Sequence, residues 1–305
     1  MKVLITTSTF AEYDSAPLDM LKARGFEVIL NPYKRKLTKE ESIKLYGDEI
    51  SAVIAGVEKI DEDIIRNAKD LKVISRCGTG MDNVDLGSAE KAGIKVFNTP
   101  DGPTRAVVEL TIGLVLSLLR GIPSADRETR EGKWQKRMGC LLQGKTVGIV
   151  GFGHIGRQAA EVLHSMGAKI LYCDPVVNEG NKVSLGKREL PELLKESDIV
   201  SLHLSYSKEN KRLIGAKELA LMKKSAFLVN VSRGGIVDEN ALYEALEKKL
   251  IAGAAIDVFE EEPYNGELKK LDNVVLTPHI GSYAREARVN MEVEAAKNLL
   301  QGLEE

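Results

Sequence analysis

The feature that most constrains the fold of this chain is a glycine-rich segment between a strand-like and a helix-like run. Thr146–Val150 is short and apolar, the hexapeptide GFGHIG follows, and a helical pattern continues to about Met166. In a βαβ unit the first glycine permits a tight turn, the second lets the backbone approach a pyrophosphate, and the third lets helix and strand pack closely. The helix N-terminus adds N–H groups and partial positive charge. The sequence therefore predicts a dinucleotide site formed by Gly151, Gly153, His154, Ile155 and Gly156.

The acidic residue expected after such a turn is also present. Asp174 stands 18 positions after Gly156, at the end of the next strand-like run. A carboxylate there accepts hydrogen bonds from the adenosine ribose and repels a 2′-phosphate, which favours NAD over NADP. The alternative from the hexapeptide is a Rossmann domain for another adenosine ligand, such as S-adenosylmethionine.

Strand-like and helix-like runs alternate on both sides of residues 98–103, where NTPDGP places two prolines and a glycine in six residues. That segment is either a domain crossing or a surface loop. The predicted strands are Val3–Thr6, Glu27–Leu30, Ala52–Ala55, Val73–Ser75, Lys95–Phe97, Thr146–Val150, Lys169–Tyr172, Ile199–Leu204, Phe227–Asn230, Ala254–Asp257 and Val274–Leu276. The predicted helices lie around Leu18–Arg24, Lys39–Tyr46, Asp61–Ala68, Val84–Ala92 and Arg105–Arg120, then in a stretch to about Trp134, and at Ala284–Leu300. This alternation predicts two doubly wound, parallel-sheet α/β domains.

Length and composition are those of an ordinary two-domain globular protein. The chain has 305 residues, 43% of them hydrophobic and 29% charged, with a formal net charge of −2. We therefore expect no nucleic-acid or membrane partner. The N-terminal apolar run is too short for a signal peptide. Three widely spaced cysteines fit a reducing compartment, so we expect a cytoplasmic protein.

Three polar segments each follow a predicted strand of the second half. They read NVSRGG at residues 230–235, DVFEEEP at 257–263 and TPHIG at 277–281. Ligands of open α/β sheets bind at the carboxyl ends of the strands, so these segments could converge on one site. Taken singly, each is typical of a surface turn or a structural loop.

Together with RCGTGMDNVD (residues 76–85) and the helix that contains Glu109, these motifs occur in an order and spacing that resembles one family. The chain resembles the D-isomer-specific 2-hydroxyacid dehydrogenases, over nearly its whole length. The resemblance implies a Rossmann cofactor domain, residues 100–280, inserted in a flavodoxin-like substrate domain, residues 1–99 and 281–305. It also implies NAD as the cofactor, a small 2-hydroxy or 2-keto acid as the substrate, and a homodimer formed through the cofactor domain.

The resemblance assigns roles to individual residues. Arg233 matches the catalytic arginine that also binds substrate, His279 the catalytic histidine and Glu262 its acidic partner. Asp257 matches a residue that contacts the nicotinamide end of the cofactor. The loop that holds the substrate carboxylate corresponds to Cys77, Gly78, Thr79 and Gly80, where Cys77 is expected to pack rather than react.

The chemistry explains why these residue types are needed. Reduction of a 2-keto acid requires a hydride at C2 and a proton on the carbonyl oxygen, and a histidine can supply that proton near neutral pH. A carboxylate at Glu262 would orient His279 and favour its imidazolium form. Arg233 stays charged and can bind a carboxylate while polarising the adjacent carbonyl. No metal is needed for these steps, and we expect none.

The sequence leaves the substrate open. The motifs are closest to the D-3-phosphoglycerate dehydrogenase branch, but the arginine with which that branch binds the substrate phosphate is replaced by Ala55. Glu58 would repel a phosphate if it faced the substrate, and Lys59 is the nearest substitute cation. His203, at the end of a predicted strand, could contact the nicotinamide side. The second candidate function is an NAD-sensing binding protein of the corepressor type, without significant turnover.

Overall fold

A computed structural model describes residues 1–47, 49–177 and 185–304 of the chain. The chain divides into two compact units. The first comprises Met1–Thr104 and Ser282–Glu305, and the second comprises Arg105–Gly281.

Twelve strands are present in the described residues. The first unit contains β1 (Lys2–Ile5), β2 (Glu27–Leu30), β3 (Ile50–Ala55), β4 (Val73–Arg76) and β5 (Lys95–Phe97). The second contains β6 (Thr146–Val150), β7 (Lys169–Cys173), β8 (Leu185–Lys187), β9 (Ile199–Leu202), β10 (Phe227–Asn230), β11 (Gly253–Ile256) and β12 (Val274–Leu276).

Eleven α-helices connect or follow these strands in the described part of the chain. Those that begin in the first half are α1 (Ala16–Ala23), α2 (Lys39–Leu45), α3 (Glu62–Asn67), α4 (Leu86–Lys91), α5 (Thr104–Arg120) and α6 (Ile122–Arg130). Those in the second half are α7 (His154–Ser165), α8 (Leu190–Glu196), α9 (Ala216–Leu221), α10 (Glu239–Glu247) and α11 (Arg285–Glu304). A short 3₁₀ turn spans Glu267–Lys270.

The first unit is a five-stranded parallel sheet in the order β2-β1-β3-β4-β5, the flavodoxin order. Helix α2 begins with a capping box, in which the Thr38 hydroxyl accepts from the Glu41 N–H and the Glu41 carboxylate accepts from the Thr38 N–H. Helix α11 returns to this sheet and packs on β4, where the Ser75 hydroxyl donates to the carbonyl of Ala295 at 2.8 Å. The unit is thus built from two separate parts of the sequence.

The second unit is a seven-stranded parallel sheet in the order β12-β11-β10-β9-β6-β7-β8. The order reverses between β6 and β9, as in a Rossmann sheet, so a ligand crevice is expected beyond the carboxyl ends of these two strands. Both faces of the sheet carry an apolar cluster, which explains why strands such as β9 are buried on both sides. The predicted pair of doubly wound α/β domains is confirmed.

Two predictions for the second unit are wrong: the end of helix α6 and the number of strands. Helix α6 ends at Arg130 rather than near Trp134, because Gly132 adopts a left-handed φ of 78° and its N–H caps the carbonyl of Thr129. The sequence also missed β8, a three-residue edge strand that pairs only with β7. Its Leu-Gly-Lys sequence has none of the β-branched or aromatic residues that mark a strand.

Among the described residues, no single helix is both long and apolar enough to cross a membrane. Helices α5 and α6, which meet at an angle of 63°, reach the required length and composition only as a pair.

Candidate active site

Every predicted site residue of the second unit lies in a loop or helix start that follows the carboxyl end of a strand, with Asp174 directly after β7 and Asp257 directly after β11. Since all seven strands are parallel, these positions share one edge of the sheet. The glycine-rich turn follows β6, His203 follows β9, Arg233 follows β10, Glu262 follows β11 and His279 follows β12.

The glycine-rich turn has the geometry that pyrophosphate binding requires. Gly151 has a φ of 91°, and a Cβ there would lie 2.5 Å from the carbonyl oxygen of His203. A Cβ on Gly156 would lie 2.1 Å from the carbonyl oxygen of Gly151, so only glycine lets α7 start this close to β6. A Cβ on Gly153, the N-cap of α7, would meet nothing within 4 Å. The backbone at Gly153 is therefore open to an approaching phosphate.

The start of α7 supplies free donors beside this opening. The N–H groups of His154 and Ile155 have no acceptor within the described residues, as expected for the first turn of a helix. The His154 side chain is exposed, so its backbone is the part that belongs to the turn. These donors and the helix dipole fit the phosphates of NAD.

Asp174 is tied to the same turn. One carboxylate oxygen accepts from the Phe152 N–H at 2.8 Å, and the other accepts from the N–H groups of Val176 and Val177, both at 2.9 Å. Burial opposes ionisation of Asp174, but the hydrogen bonds from Phe152, Val177 and Val176 outweigh it and lower its pKa. A carboxylate has about four acceptor positions, so about one stays available for a ribose hydroxyl.

His203 lies against the turn and is held neutral. Its Nε2 is 2.9 Å from the Ser201 hydroxyl, while its buried Nδ1 has no partner among the described residues. Burial lowers the pKa of His203 to about 4. The backbone carbonyl of this residue packs on Gly151, so it helps to shape the cofactor turn; the predicted contact with the nicotinamide stays a prediction.

The loop that carries His279 is held by Asp257. This carboxylate is 0% exposed and accepts from the Thr277 hydroxyl and from the N–H groups of Ile280 and Gly281, each N–H at 2.9 Å. Burial is the main reason that the pKa of Asp257 is raised. The Asp257 carbonyl also accepts from the His279 N–H at 2.8 Å. Its predicted nicotinamide contact stays a prediction, and the structure adds a positioning role that the sequence did not indicate.

His279 has a φ of 55°, in the left-handed region that non-glycine residues rarely adopt. Such a conformation costs free energy and persists where surrounding hydrogen bonds fix it. Here the Asp257 carbonyl accepts from the His279 N–H, and the Asp257 carboxylate accepts from the next two N–H groups of the loop. The strain therefore identifies a side chain whose direction matters.

His279 and Glu262 form a direct pair. The Nδ1 atom of His279 lies 2.8 Å and 3.1 Å from the two carboxylate oxygens of Glu262, and Glu262 also accepts from the Phe259 N–H at 3.0 Å. A carboxylate can only accept, so Nδ1 carries the proton of this bond. The Nε2 atom has no partner in the part of the chain that the structure describes. That nitrogen is available to exchange a proton with a substrate oxygen.

The Arg233 loop is packed against the loop of Glu262. A Cβ on Gly234 would lie 1.8 Å from the carbonyl oxygen of Phe259, so only glycine permits this contact. Asn230 closes the turn by accepting from the Ser232 N–H at 3.1 Å and donating to the Arg233 carbonyl at 3.1 Å. The three motifs that the sequence placed in one site thus come from neighbouring strands, with two of the loops in contact.

In the first unit, the predicted substrate loop follows β4. The Cys77 N–H donates to the Ala55 carbonyl and the Gly78 N–H to the Thr99 hydroxyl, so both are already used. The N–H groups of Thr79 and Gly80 have no acceptor among the described residues. They are the two donors of this loop that a substrate carboxylate could use. Burial raises the pKa of Cys77 to about 11, so its thiol stays protonated at neutral pH.

Glu58 does not present a free charge. Its side chain is 1% exposed and accepts hydrogen bonds from the Tyr46 hydroxyl at 2.7 Å and from the Thr6 hydroxyl. Thr6 also accepts from the Gly56 N–H at 2.9 Å, which closes the ends of β1 and β3. Repulsion of a substrate phosphate by Glu58 would require an exposed carboxylate, whereas this carboxylate is buried and hydrogen-bonded. No simple pattern in the sequence indicated this buried network.

Among the described residues, no group of three His, Cys, Asp or Glu side chains could hold a metal ion. The residues present fit NAD through the open backbone at Gly153, the donors of α7 and the acceptor at Asp174. When bound, NAD(H) accepts or supplies a hydride.

Comparison with known proteins shows the family of the chain. Residues 112–281 match the family model of the D-isomer specific 2-hydroxyacid dehydrogenase, NAD binding domain. The chain is 45% identical to a glyoxylate reductase of Thermococcus litoralis, over 90% of this chain and 89% of that protein. It is 38% identical to a D-3-phosphoglycerate dehydrogenase of Archaeoglobus fulgidus, over 98% of this chain but only 57% of that protein.

A solved structure of D-lactate dehydrogenase from Aquifex aeolicus, complexed with NAD and lactic acid, superimposes with a TM-score of 0.86. It is 27% identical, with 99% of this chain and 95% of that chain covered. The family model, the relatives and the solved structure thus agree on the family and on NAD as its cofactor. The chain belongs to the D-isomer-specific 2-hydroxyacid dehydrogenase family and is an NAD-dependent oxidoreductase that acts on 2-hydroxy acids.

Proposed function

We propose that the protein reduces a small 2-keto acid to the D-2-hydroxy acid, or catalyses the reverse oxidation, with Arg233, Glu262 and His279 as its catalytic residues. The observation that carries this proposal is the His279–Glu262 pair, with Nδ1 held by the carboxylate and Nε2 left available. A neutral structural histidine would need neither the acidic partner nor the left-handed backbone.

The residues divide the work of one reduction. Protonated His279 donates its Nε2 proton to the carbonyl oxygen as negative charge develops there, and Glu262 stabilises the imidazolium. Arg233 binds the substrate carboxylate and polarises the adjacent carbonyl. In the first unit, the N–H groups of Thr79 and Gly80 are the donors proposed for a substrate carboxylate. In the oxidation, neutral His279 removes the hydroxyl proton.

The second unit is proposed as the cofactor domain and the first as the substrate domain. The glycine-rich turn, Asp174 and the family match at residues 112–281 support the first assignment. The unpaired donors at Thr79 and Gly80 support the second. For the substrate, glyoxylate, hydroxypyruvate and 3-phosphohydroxypyruvate are the candidates, since relatives are named glyoxylate reductase and D-3-phosphoglycerate dehydrogenase.

The test is NADH oxidation at 340 nm with glyoxylate, hydroxypyruvate, pyruvate and 3-phosphohydroxypyruvate, each compared with NADPH. We expect turnover with at least one acid, and a Glu262→Gln variant that binds NADH normally but turns over more slowly. The reverse reaction with D- and L-isomers of the product checks the stereochemistry. Tight NADH binding without turnover of any acid would refute the proposal and favour a sensing protein.

We also propose a homodimer formed through the second unit. Exposed apolar side chains occur at the start of α6 and in the segment after it, where Ile122, Trp134, Met138 and Leu141 are 52%, 83%, 99% and 69% exposed. Exposed apolar groups of this size are typical of a contact surface. Light scattering should give about twice the mass of 33.4 kDa, and a Trp134→Lys, Met138→Lys variant should shift towards the monomer. A monomeric wild-type protein would contradict this proposal.

A reducing, cytoplasmic location is proposed on separate grounds. The three cysteines at positions 77, 140 and 173 are unpaired, and an oxidising compartment would favour disulfides. Thiol titration of the protein purified without reductant should find three free thiols after unfolding, and fewer would argue against this location.

A further inference from the structure

A cavity of about 190 Å³ lies in the first unit, at the carboxyl edge of its sheet. Thr9 and Tyr13, which follow β1, form one side, and Tyr283, Arg285 and Arg288, at the start of α11, form the other. We call it the Arg288 pocket. Each arginine lies over a tyrosine ring, with the guanidinium carbon of Arg285 5.8 Å from the Tyr13 ring centre and that of Arg288 5.5 Å from the Tyr283 ring centre. Both distances are within the range of a cation–π contact.

The Arg288 guanidinium has more N–H donors than there are hydrogen-bond acceptors around it. Its side chain is 10% exposed, and one terminal nitrogen, Nη2, donates to the Thr9 hydroxyl at 2.8 Å and to Glu292 at 3.3 Å. The Nε atom is buried without a partner, and Nη1 has none either, within the described residues. A guanidinium has five N–H donors, and leaving buried charged donors unsatisfied costs free energy. The pocket therefore lacks an acceptor on the side of Nε and Nη1.

The nearest acidic group does not fill that role. Glu292 is 1% exposed, and its second oxygen accepts from the Ala11 N–H at 2.9 Å, so it is held by the backbone as well as by Arg288. Burial raises the pKa of Glu292, an effect that Glu12 reinforces and Arg288 opposes. The five residues that line the pocket include two cations and no carboxylate. Planar guanidinium groups recognise carboxylate and phosphate by paired hydrogen bonds.

The position links this pocket to the predicted substrate loop of the same unit. Thr9 follows β1 and Cys77 follows β4, so both lie at the carboxyl edge of one parallel sheet. Cys77 also packs in one apolar cluster with Met291, which lies three residues after Arg288 on α11. The volume equals that of about six water molecules, enough for one phosphate or carboxylate group.

We propose that the Arg288 pocket binds an oxyanion, a carboxylate or a phosphate group, through Arg288 and Arg285. Two sources share this chemistry: the second anionic group of a 2-keto acid substrate, or a free anion. The first source rests on the proposed function. In that case Arg288 and Arg285 would supply the positive charge that the phosphoglycerate dehydrogenase branch obtains from its phosphate-binding arginine, which is replaced by Ala55 in this chain.

Binding is tested first without turnover. Isothermal titration of the full-length protein with inorganic phosphate, at constant ionic strength, should show one saturable site. Arg288→Lys and Arg285→Ala should each weaken it about ten-fold or more, because each removes charge-assisted hydrogen bonds. Lys297→Ala removes an exposed cation from the same helix outside the pocket and should bind as the wild type does. Arg285 is itself exposed, so its variant keeps the test valid if Arg288→Lys fails to fold.

The source of the anion is tested by kinetics. If the substrate supplies it, both pocket variants lower kcat/KM for 3-phosphohydroxypyruvate or 2-oxoglutarate about ten-fold or more and leave glyoxylate unchanged. If a free anion supplies it, the variants lose phosphate binding while the ratio between the acids stays constant. The proposal for the pocket is overturned if the wild type shows no saturable phosphate binding, or if all variants bind phosphate equally well. Phosphate binding without turnover of any acid would instead refute the proposed function and leave the pocket standing.

Discussion

Asp257→Asn tests whether the buried carboxylate positions the catalytic loop. In the wild type, one carboxylate oxygen accepts from the Thr277 hydroxyl and the Ile280 N–H, and the other from the Gly281 N–H. An asparagine keeps an oxygen for the first two bonds, but its amide nitrogen then faces the buried N–H of Gly281. The substitution removes one acceptor and leaves one buried donor unsatisfied.

The expected loss of unfolding free energy follows from these contacts. A hydrogen bond to a charged group contributes about 1.5–3 kcal/mol, and an unsatisfied buried N–H costs about 1–3 kcal/mol. The neutral amide recovers part of this, because burial disfavours the charged form of Asp257 and raises its pKa. We therefore expect a net loss of about 2 kcal/mol. Thr277→Val, which removes only the hydroxyl bond, is the matched control and should cost about 1 kcal/mol.

Urea unfolding measures the stability, and NADH titration with steady-state kinetics separates the two roles of Asp257. If it positions His279, kcat falls about 10- to 100-fold, as expected for displacement of a catalytic group by about 1 Å, while the Kd for NADH stays within about three-fold. If it contacts the nicotinamide, the Kd for NADH rises as well. The stability difference should widen as the pH falls through the folded-state pKa of Asp257, because this pKa is raised by burial and the folded wild type therefore takes up the proton more readily than the unfolded chain, whereas asparagine does not titrate. A variant with wild-type stability and wild-type kcat would refute the reasoning.

The remaining predictions concern the proton donor, the cofactor and His203. His279→Ala should lower kcat about 10²- to 10⁴-fold with unchanged NADH binding, measured by fluorescence titration, and retained turnover would remove His279 as the acid. Asp174→Ala should reduce the preference for NADH over NADPH, measured as the ratio of the kcat/KM values, by about ten-fold. Asp174→Asn is the control for the loss of hydrogen bonds from Asp174 to the backbone of the turn. An unchanged preference would mean that the ribose is recognised elsewhere. His203 binds a proton at about pH 4 in the folded protein but near pH 6.5 in the unfolded chain, so its stabilising effect is complete above pH 6.5 and is lost as the pH falls to 4. Urea unfolding at pH 7 and pH 4 should therefore show the wild type losing about 3 kcal/mol more than His203→Gln, and equal losses would contradict the burial of this ring.

Much of the fold follows from local patterns in the sequence. The eleven predicted strands correspond to strands of the structure, because each is a short, largely apolar run bounded by turn residues. Central strands such as β9 are buried on both faces and are apolar almost throughout, as expected in a parallel sheet. The exceptions have local causes. Strand β8 carries no β-forming residue, and α6 is ended by the left-handed Gly132, whose effect depends on a backbone angle rather than on apolar periodicity.

The site, like the fold, has features that sequence motifs indicate and features that depend on tertiary packing. Arg233, Glu262 and His279 were indicated by the resemblance of the ordered motifs to one family, because each motif taken singly is typical of a surface turn or a structural loop. The pairing of Nδ1 with both oxygens of Glu262, and the strained φ of His279, depend on how neighbouring loops pack. No spacing rule contains that information.

Two parallel α/β domains and a dinucleotide turn could be predicted from the sequence, because periodicity and glycine placement are local properties, and the family resemblance added the proposed catalytic residues. The environment of each charged group depends on the folded structure. Glu58 was considered as a charge facing the substrate, but Thr6 and Tyr46, distant in sequence, hold it inside the fold. Arg288 lies on a helix with a buried apolar face, yet it lines a pocket with unsatisfied donors. Burial and hydrogen-bond partners arise from residues far apart in the chain, so they appear only when the chain is folded.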